Sequence, residues 1–194
     1  MSNTGIFSPK DINELTAYSQ WSGLAGQLEL IQTQTVSAVN AINFFDIKED
    51  EYNVHFLTIN NCFSTSSNES IGLRFFEDGL IRISNAYQYV YQNGFATGSF
   101  STTASTGGQR AFVTRFNDNG DVKNAYVYFY NLGNASKYSF FTMQSVADHS
   151  GFEFRYGQGA MPRLTNVNGI NLFGTVGGNI SGDFSLYGIR DLDE

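Results

Sequence analysis

Charge is scarce in this sequence: only 15% of its residues are Asp, Glu, Lys or Arg, against roughly a quarter in ordinary soluble domains. Its polar surface is therefore built from Asn, Gln, Ser and Thr, which suits dense packing against neighbours. Basic residues are the scarcest charges, 11 against 18 acidic ones for a net charge of -7. No stretch concentrates Lys and Arg, so a phosphate backbone is repelled and nucleic acid is not expected as a partner. The single cysteine, Cys62, cannot close an intrachain disulfide, and no basic segment leads into an apolar run near Met1. Synthesis in a reducing cytoplasm is expected. No apolar run approaches the roughly 18 residues of a membrane-spanning helix, so a soluble chain without membrane contact is expected. Histidine occurs twice, His55 and His149, too few for an ordinary zinc site with three or four ligands. A nucleophile elbow and a phosphate loop are both missing. A non-enzymatic protein without cofactor or metal is the expectation.

What is abundant points to strands. The 194 residues include 18 Phe, 11 Tyr and 20 Gly, and aromatics fit half-buried pleated surfaces while glycine serves turns. That length supports one sizeable core. Alternation with period two runs through GQLELIQTQTVS around Leu28 and Leu30, YNVHFLTI, IGLRFF, AYQYVYQ, AFVTRF, NAYVYFYN, KYSFFTMQSV, GFEFRY, GINLFG and the closing GNISGDFSLYGI. Several of these are apolar on both faces, as when one face meets a second sheet and the other a covering element or partner. EDG at Glu77–Gly79, QNG at Gln92–Gly94 and DNGD at Asp118–Asp121 read as tight turns. Polar, glycine-rich GSFSTTASTGGQR, Gly98–Arg110, reads as a long mobile loop. About ten strands so spaced predict an antiparallel β-sandwich of jelly-roll type. Phe56, Leu73, Phe75, Phe140, Phe154, Phe184 and Leu186 are its expected core.

The ends read differently. SPKDINEL, Ser8–Leu15, has Ser8 as N-cap and Pro9 at the first helical position, predicting a short helix whose apolar face is Ile12 and Leu15. Residues 1–25 are thus an N-terminal arm, with Trp21 as its anchor, and 26–194 one sandwich domain. A helix this short is marginal alone and must pack on something. Ile12, Leu15, Trp21, Arg190 and Leu192 are the expected assembly contacts, with a homo-oligomer, a trimer as first guess, expected by analogy with symmetric assemblies.

Few residues suggest chemistry. FRYGQG, Phe154–Gly159, joins an arginine and a tyrosine to two glycines, a composition able to form a flat sugar platform, with Arg155, Tyr156 and Gln158 as candidate glycan-binding residues. Acidic Asp46–Glu51 and Asn117–Asp121 lack the full calcium-loop spacing and read as solvated turns. Acceptor tripeptides at Asn68, Asn134 and Asn179 occur in a sequence so rich in Asn and Ser that chance accounts for them.

In GIFSPKDINEL, GQLELIQTQTV followed by INFFDI, YNVHFLTINN, GLRFFEDG and SGDFSLYGIRDL, the sequence resembles virion structural proteins of tailed bacteriophages, most nearly those of contractile-tailed phages of marine cyanobacteria. The likeness spans nearly the whole chain, and a final strand reading LYGI is widespread in small phage β-sandwich proteins. It implies a particle component made in the host cytoplasm, assembled into the virion and touching other virion proteins. It implies no catalytic residue. An accessory or capsid decoration subunit is the expected role; the alternative is a tail-fibre or receptor-binding module recognising host surface polysaccharide.

Overall fold

The computed structural model describes residues 28–115, 122–148 and 152–190. Among them run thirteen strands and no helix: β1 (Leu28–Val39), β2 (Ala41–Phe45), β3 (Val54–Ser64), β4 (Ser70–Glu77), β5 (Leu80–Ile81), β6 (Tyr87–Phe95), β7 (Phe100–Gly108), β8 (Ala111–Arg115), β9 (Lys123–Tyr130), β10 (Ser139–Asp148), β11 (Phe152–Met161), β12 (Val167–Gly174) and β13 (Ile180–Ile189). Eight form one sheet, in the order β1-β13-β3-β9-β10-β11-β6-β7. The second has the order β2-β12-β4-β5, with β8 also paired to β4. Every pairing is antiparallel. The ribbon β12–β13 lies between β1–β2 and β3–β4 in both sheets at once.

The two sheets share one core. Leu57, Ile59, Val127, Phe129, Phe184 and Leu186 of the large sheet are fully buried, as are Leu73, Phe75, Ile170 and Leu172 of the small one. Phe75 and Phe129 meet edge to face across the interface, centroids 5.9 Å apart, a geometry favoured by the ring quadrupoles. Two buried tyrosines of β6 tie the sheets together by polar bonds. The Tyr87 hydroxyl accepts from Phe75 N at 2.9 Å and donates to Arg82 O at 3.1 Å, and the Tyr91 hydroxyl accepts from Phe112 N at 2.6 Å.

Four of the seven expected core residues, Leu73, Phe75, Phe184 and Leu186, are fully buried. Phe56, Phe140 and Phe154 are not in the core. They share the opposite parity, facing out from the large sheet, and Phe140 is 43% exposed. In β3 the buried set is His55, Leu57 and Ile59, so the imidazole occupies the core parity and the phenyl ring the outer one. Leu28 and Leu30 are exposed too. Hydrophobicity alone misassigned these faces because the outer face is itself aromatic.

Two turn and loop expectations also change. Glu77–Gly79 does turn, with Asp78 and Gly79 both at positive φ (50° and 77°), as a two-residue hairpin requires. Gln92–Gly94, however, continues β6, and Gly94 is small because the Phe154 ring lies over it. The chain turns instead at Phe95–Ser99, where Phe95 N donates to Ser99 O at 3.0 Å and Gly98 takes φ 82°. The expected mobile loop is largely β7, the edge strand of the large sheet. Its threonines favour an extended backbone. The predicted helix, Ile12, Leu15, Trp21, the Asp118–Asp121 turn, His149 and Leu192 lie outside the described residues.

Candidate functional site

Because side chains alternate across a strand, the outer face of the eight-stranded sheet is set by register alone. One row crosses all eight strands: Leu30, Tyr187, Phe56, Tyr128, Thr142, Gln158, Val90 and Ala104. The adjacent row is Thr33, Ser185, Thr58, Tyr126, Gln144, Tyr156, Gln92 and Thr102. Its middle reads Tyr–Gln–Tyr–Gln on four neighbouring strands, about 4.8 Å apart. The Tyr126 hydroxyl donates to Gln144 Oε1 at 2.6 Å, and that of Tyr156 donates to Gln92 Oε1. Each bond holds a ring in place and leaves the amide NH2 of its glutamine with donors for a ligand.

Aromatic rings flank this ladder in two groups. On one side Phe56 lies 4.6 Å from Tyr128, 6.1 Å from Tyr126 and 6.2 Å from Tyr187. On the other, Phe154 stacks with Tyr156 at 6.1 Å and meets Phe100 edge-on at 6.2 Å. Over β10, β11, β6 and β7 lie two adjoining open depressions of about 510 and 520 Å³, which share Val90, Thr142 and Gln158. Gly157 and Gly159 of β11 line the depressions with backbone alone, and their missing side chains make room on the inner side for two core rings: a Cβ at Gly159 would run into the Phe141 ring, and one at Gly157 would sit 2.7 Å from Tyr91. The two rows contain no charged residue, and beside them Asp183 accepts from Thr35 Oγ1 at 2.7 Å. Such a surface cannot hold an ionic ligand by charge, but it offers rings, hydroxyls and amides.

The three residues expected to bind glycan do not act together. Tyr156 and Gln158 are on this outer face, whereas Arg155 is turned to the inner side and buried, its Nε donating to Asn93 Oδ1 at 2.6 Å. Adjacent strand residues cannot share a face. Arg190, expected at an assembly contact, forms a two-pronged pair with Glu29 inside the chain, Nε to Oε1 at 2.6 Å and Nη2 to Oε2 at 2.9 Å. Tyr126, Gln144, Gln92 and Thr142 carry no individual signal in the sequence, and Phe56 and Phe154 read there as core residues. The visible signal was NAYVYFYN, where Tyr126, Tyr128 and Tyr130 share one parity.

Other polar groups inside the fold have structural partners. His55 Nε2 bonds to Ile47 O at 2.8 Å, and burial lowers the pKa of the ring. Burial pushes the Cys62 thiol well above its usual value, leaving no thiolate for chemistry. Glu69 is completely buried, yet its carboxylate accepts from Ser70 N, Thr175 Oγ1, Val176 N and Gly178 N at 2.7 to 2.9 Å. Those bonds outweigh desolvation and hold its pKa below the ordinary range. It fastens the β12–β13 connection. Among the described residues no group of three His, Cys, Asp or Glu could hold a metal ion.

No family model and no curated protein matches the chain. Solved structures give faint likenesses. A scytalido-glutamic peptidase with a transition-state analog inhibitor has 9% identity and a TM-score of 0.26, covering 76% of this chain, which spans 66% of that one. An alginate lyase from Alteromonas sp. 272 has 11% identity and a TM-score of 0.26 over 83% of this chain and 90% of its own. The CBM2 module of Lactobacillus casei BL23 phage J-1 evolved Dit has 10% identity and a TM-score of 0.25, over 78% and 69%. Likenesses of this size carry no argument about fold or function.

Proposed function

We propose that this chain is a non-enzymatic recognition module of a bacteriophage particle, a jelly-roll sandwich preceded by a short helical arm, which takes host surface polysaccharide on the outer face of its large sheet. The observation that carries the reading is the uncharged Tyr126–Gln144–Tyr156–Gln92 ladder set between two aromatic groups. A pyranose offers an apolar C–H face to a ring and hydroxyls to amides, and this row presents both kinds of partner at strand spacing. Placement on a phage particle rests on the resemblance of the sequence. The ribbon β12–β13 between β1–β2 and β3–β4 is what favours jelly-roll wrapping. Cleavage by a carboxylate pair would need two such groups across the trough, and its two central rows supply none.

The test is titration calorimetry with polysaccharide extracted from the host envelope, alongside a glycan array. Binding is expected, with affinity falling by about tenfold or more in Tyr156→Ala and in Tyr126→Ala, a loss consistent with one well-packed aromatic contact. Silence across the array and the extract refutes the reading. A second reading, an accessory or decoration subunit contacting other virion proteins through this face, draws on the same absence of charge, since interface cores are depleted of charge and rich in tyrosine. Cross-linking of intact virions that joins Tyr156-side peptides to another particle protein would favour it.

A further inference from the structure

The four other outer strands of the two sheets are all interrupted or short. β1 has two breaks in register against β13, at Leu30/Gln32 and Val36/Val39, and carries the Glu29–Arg190 pair at its start. β2 has five residues, and the Gln34 side chain donates to its Asn43 O at 2.8 Å. β5 has two residues, and five-residue β8 is bounded by Arg110 and Arg115. β7 is guarded least. It runs nine residues, FSTTASTGG, free of charge and of proline. Its one register shift against β6 lies at its end, between Ser105 and Gly108, and the stretch from Phe100 to Ser105 is unbroken. β6 beside it is also uncharged. Proteins normally guard a long edge with a charge, a proline or a bulge, because its free N–H and C=O groups otherwise take up another strand.

We propose that β7 is a pairing edge for a second copy of this chain, joining two eight-stranded sheets antiparallel across a two-fold axis. An edge that is to meet itself must be self-compatible. An axis at Thr103, the midpoint of Ser101–Ser105 within the unbroken stretch, sets Thr102 opposite Ala104 and Ser101 opposite Ser105, short side chains with no like charges to oppose. In a chain of net charge -7, the eighteen uncharged residues of β6 and β7 form the side along which two copies approach with least repulsion. Pairing has a consequence for the outer face as well. Thr102 and Thr106 line the two depressions, so the joined sheets bring the troughs of both copies to a common seam.

Sedimentation velocity on the full chain, over a hundredfold range of concentration, is expected to show a monomer–dimer equilibrium. Hydrogen exchange is expected to show β7 amides gaining protection as dimer forms. Thr103→Lys and, separately, Thr103→Glu place like charges opposite each other on the axis, at an exposed position away from the trough. Each is expected to raise the dimer dissociation constant about tenfold or more, with an unchanged circular dichroism spectrum and melting temperature. The proposal is overturned by a monomer at every concentration, by a dimer that both variants leave intact, or by β7 amides already protected in the monomer, which would mean another segment of the chain covers this edge. None of these readouts involves glycan, so its outcome is independent of the recognition reading.

Discussion

At the scale of single residues, the informative positions are polar groups held inside an apolar sandwich. Glu69 accepts four hydrogen bonds, and Glu69→Ala leaves Val176 N and Gly178 N without their acceptor. A cost of about 3 kcal/mol is expected, seen in a thermal melt as a drop in Tm on the order of 10 °C. The pH dependence has a definite sign. Because the folded pKa lies below the unfolded value near 4.5, the contribution of Glu69 is complete above that value and is lost as the pH falls through the folded one. Glu69→Gln should therefore flatten the acid side of the stability profile. His55 acts in the same direction from a higher start: its lowered pKa removes stability as the pH falls below 6.5. Tyr87 works on the alkaline side. Burial pushes its hydroxyl up to about 12, so stability declines as the pH rises from 10 towards that value. Urea midpoints measured between pH 9 and pH 12 check this. Tyr91→Phe, which strands Phe112 N, should cost about 1–2 kcal/mol at neutral pH.

At the scale of strands, several glycines serve as landing places for rings from neighbouring segments and not as turns. The Tyr52 ring lies over Gly188 of β13, as the Phe154 ring lies over Gly94 of β6. Tyr52 also donates its hydroxyl to Glu29 Oε2 at 2.7 Å, the carboxylate that Arg190 grips. Gly188→Ala drives a methyl into that ring and disturbs all three residues. A loss of about 2 kcal/mol is expected, measured as a lower urea midpoint with an unchanged slope. A normal midpoint would show that the ring can step aside without cost. This use of glycine also explains why Gln92–Gly94 looked like a turn: Asn-Gly signals positive φ to a reader of sequence, whereas here the missing Cβ makes room for Phe154.

Over the whole molecule, the first and last described strands are neighbours. β13 pairs with both β1 and β3, so the large sheet cannot close until the C-terminal strand has arrived. Pairings this distant in sequence predict refolding in the millisecond-to-second range, observable by stopped-flow fluorescence. A chain ending at Gly178 loses β13, and with it the buried Ile180, Phe184 and Leu186. It should show no cooperative thermal transition by circular dichroism. A sharp melt from that truncated chain would mean that β1 and β3 can pair directly.

Sequence by itself determined the class of this protein. Period-two alternation, aromatic abundance and scarce charge specify an antiparallel all-β chain, and the parity of Leu73, Phe75, Phe184 and Leu186 places them inside, because the opposite parity of their strands carries Ser70 and Arg74, or Asp183 and Ser185. Tyr156 and Gln158 were also legible as outward candidates. Only the tertiary structure decided which face of β3, β10 and β11 is inner. β3 and β10 carry apolar residues on both sides, and β11 has its aromatics on one side with Glu153, Arg155 and two glycines on the other, so local pattern does not pick the buried face; packing against the opposing sheet buries His55, Phe141 and Arg155. The ladder of Tyr126, Gln144, Tyr156 and Gln92 is likewise invisible along the chain. Its members come from four strands, and cross-strand register brings them together.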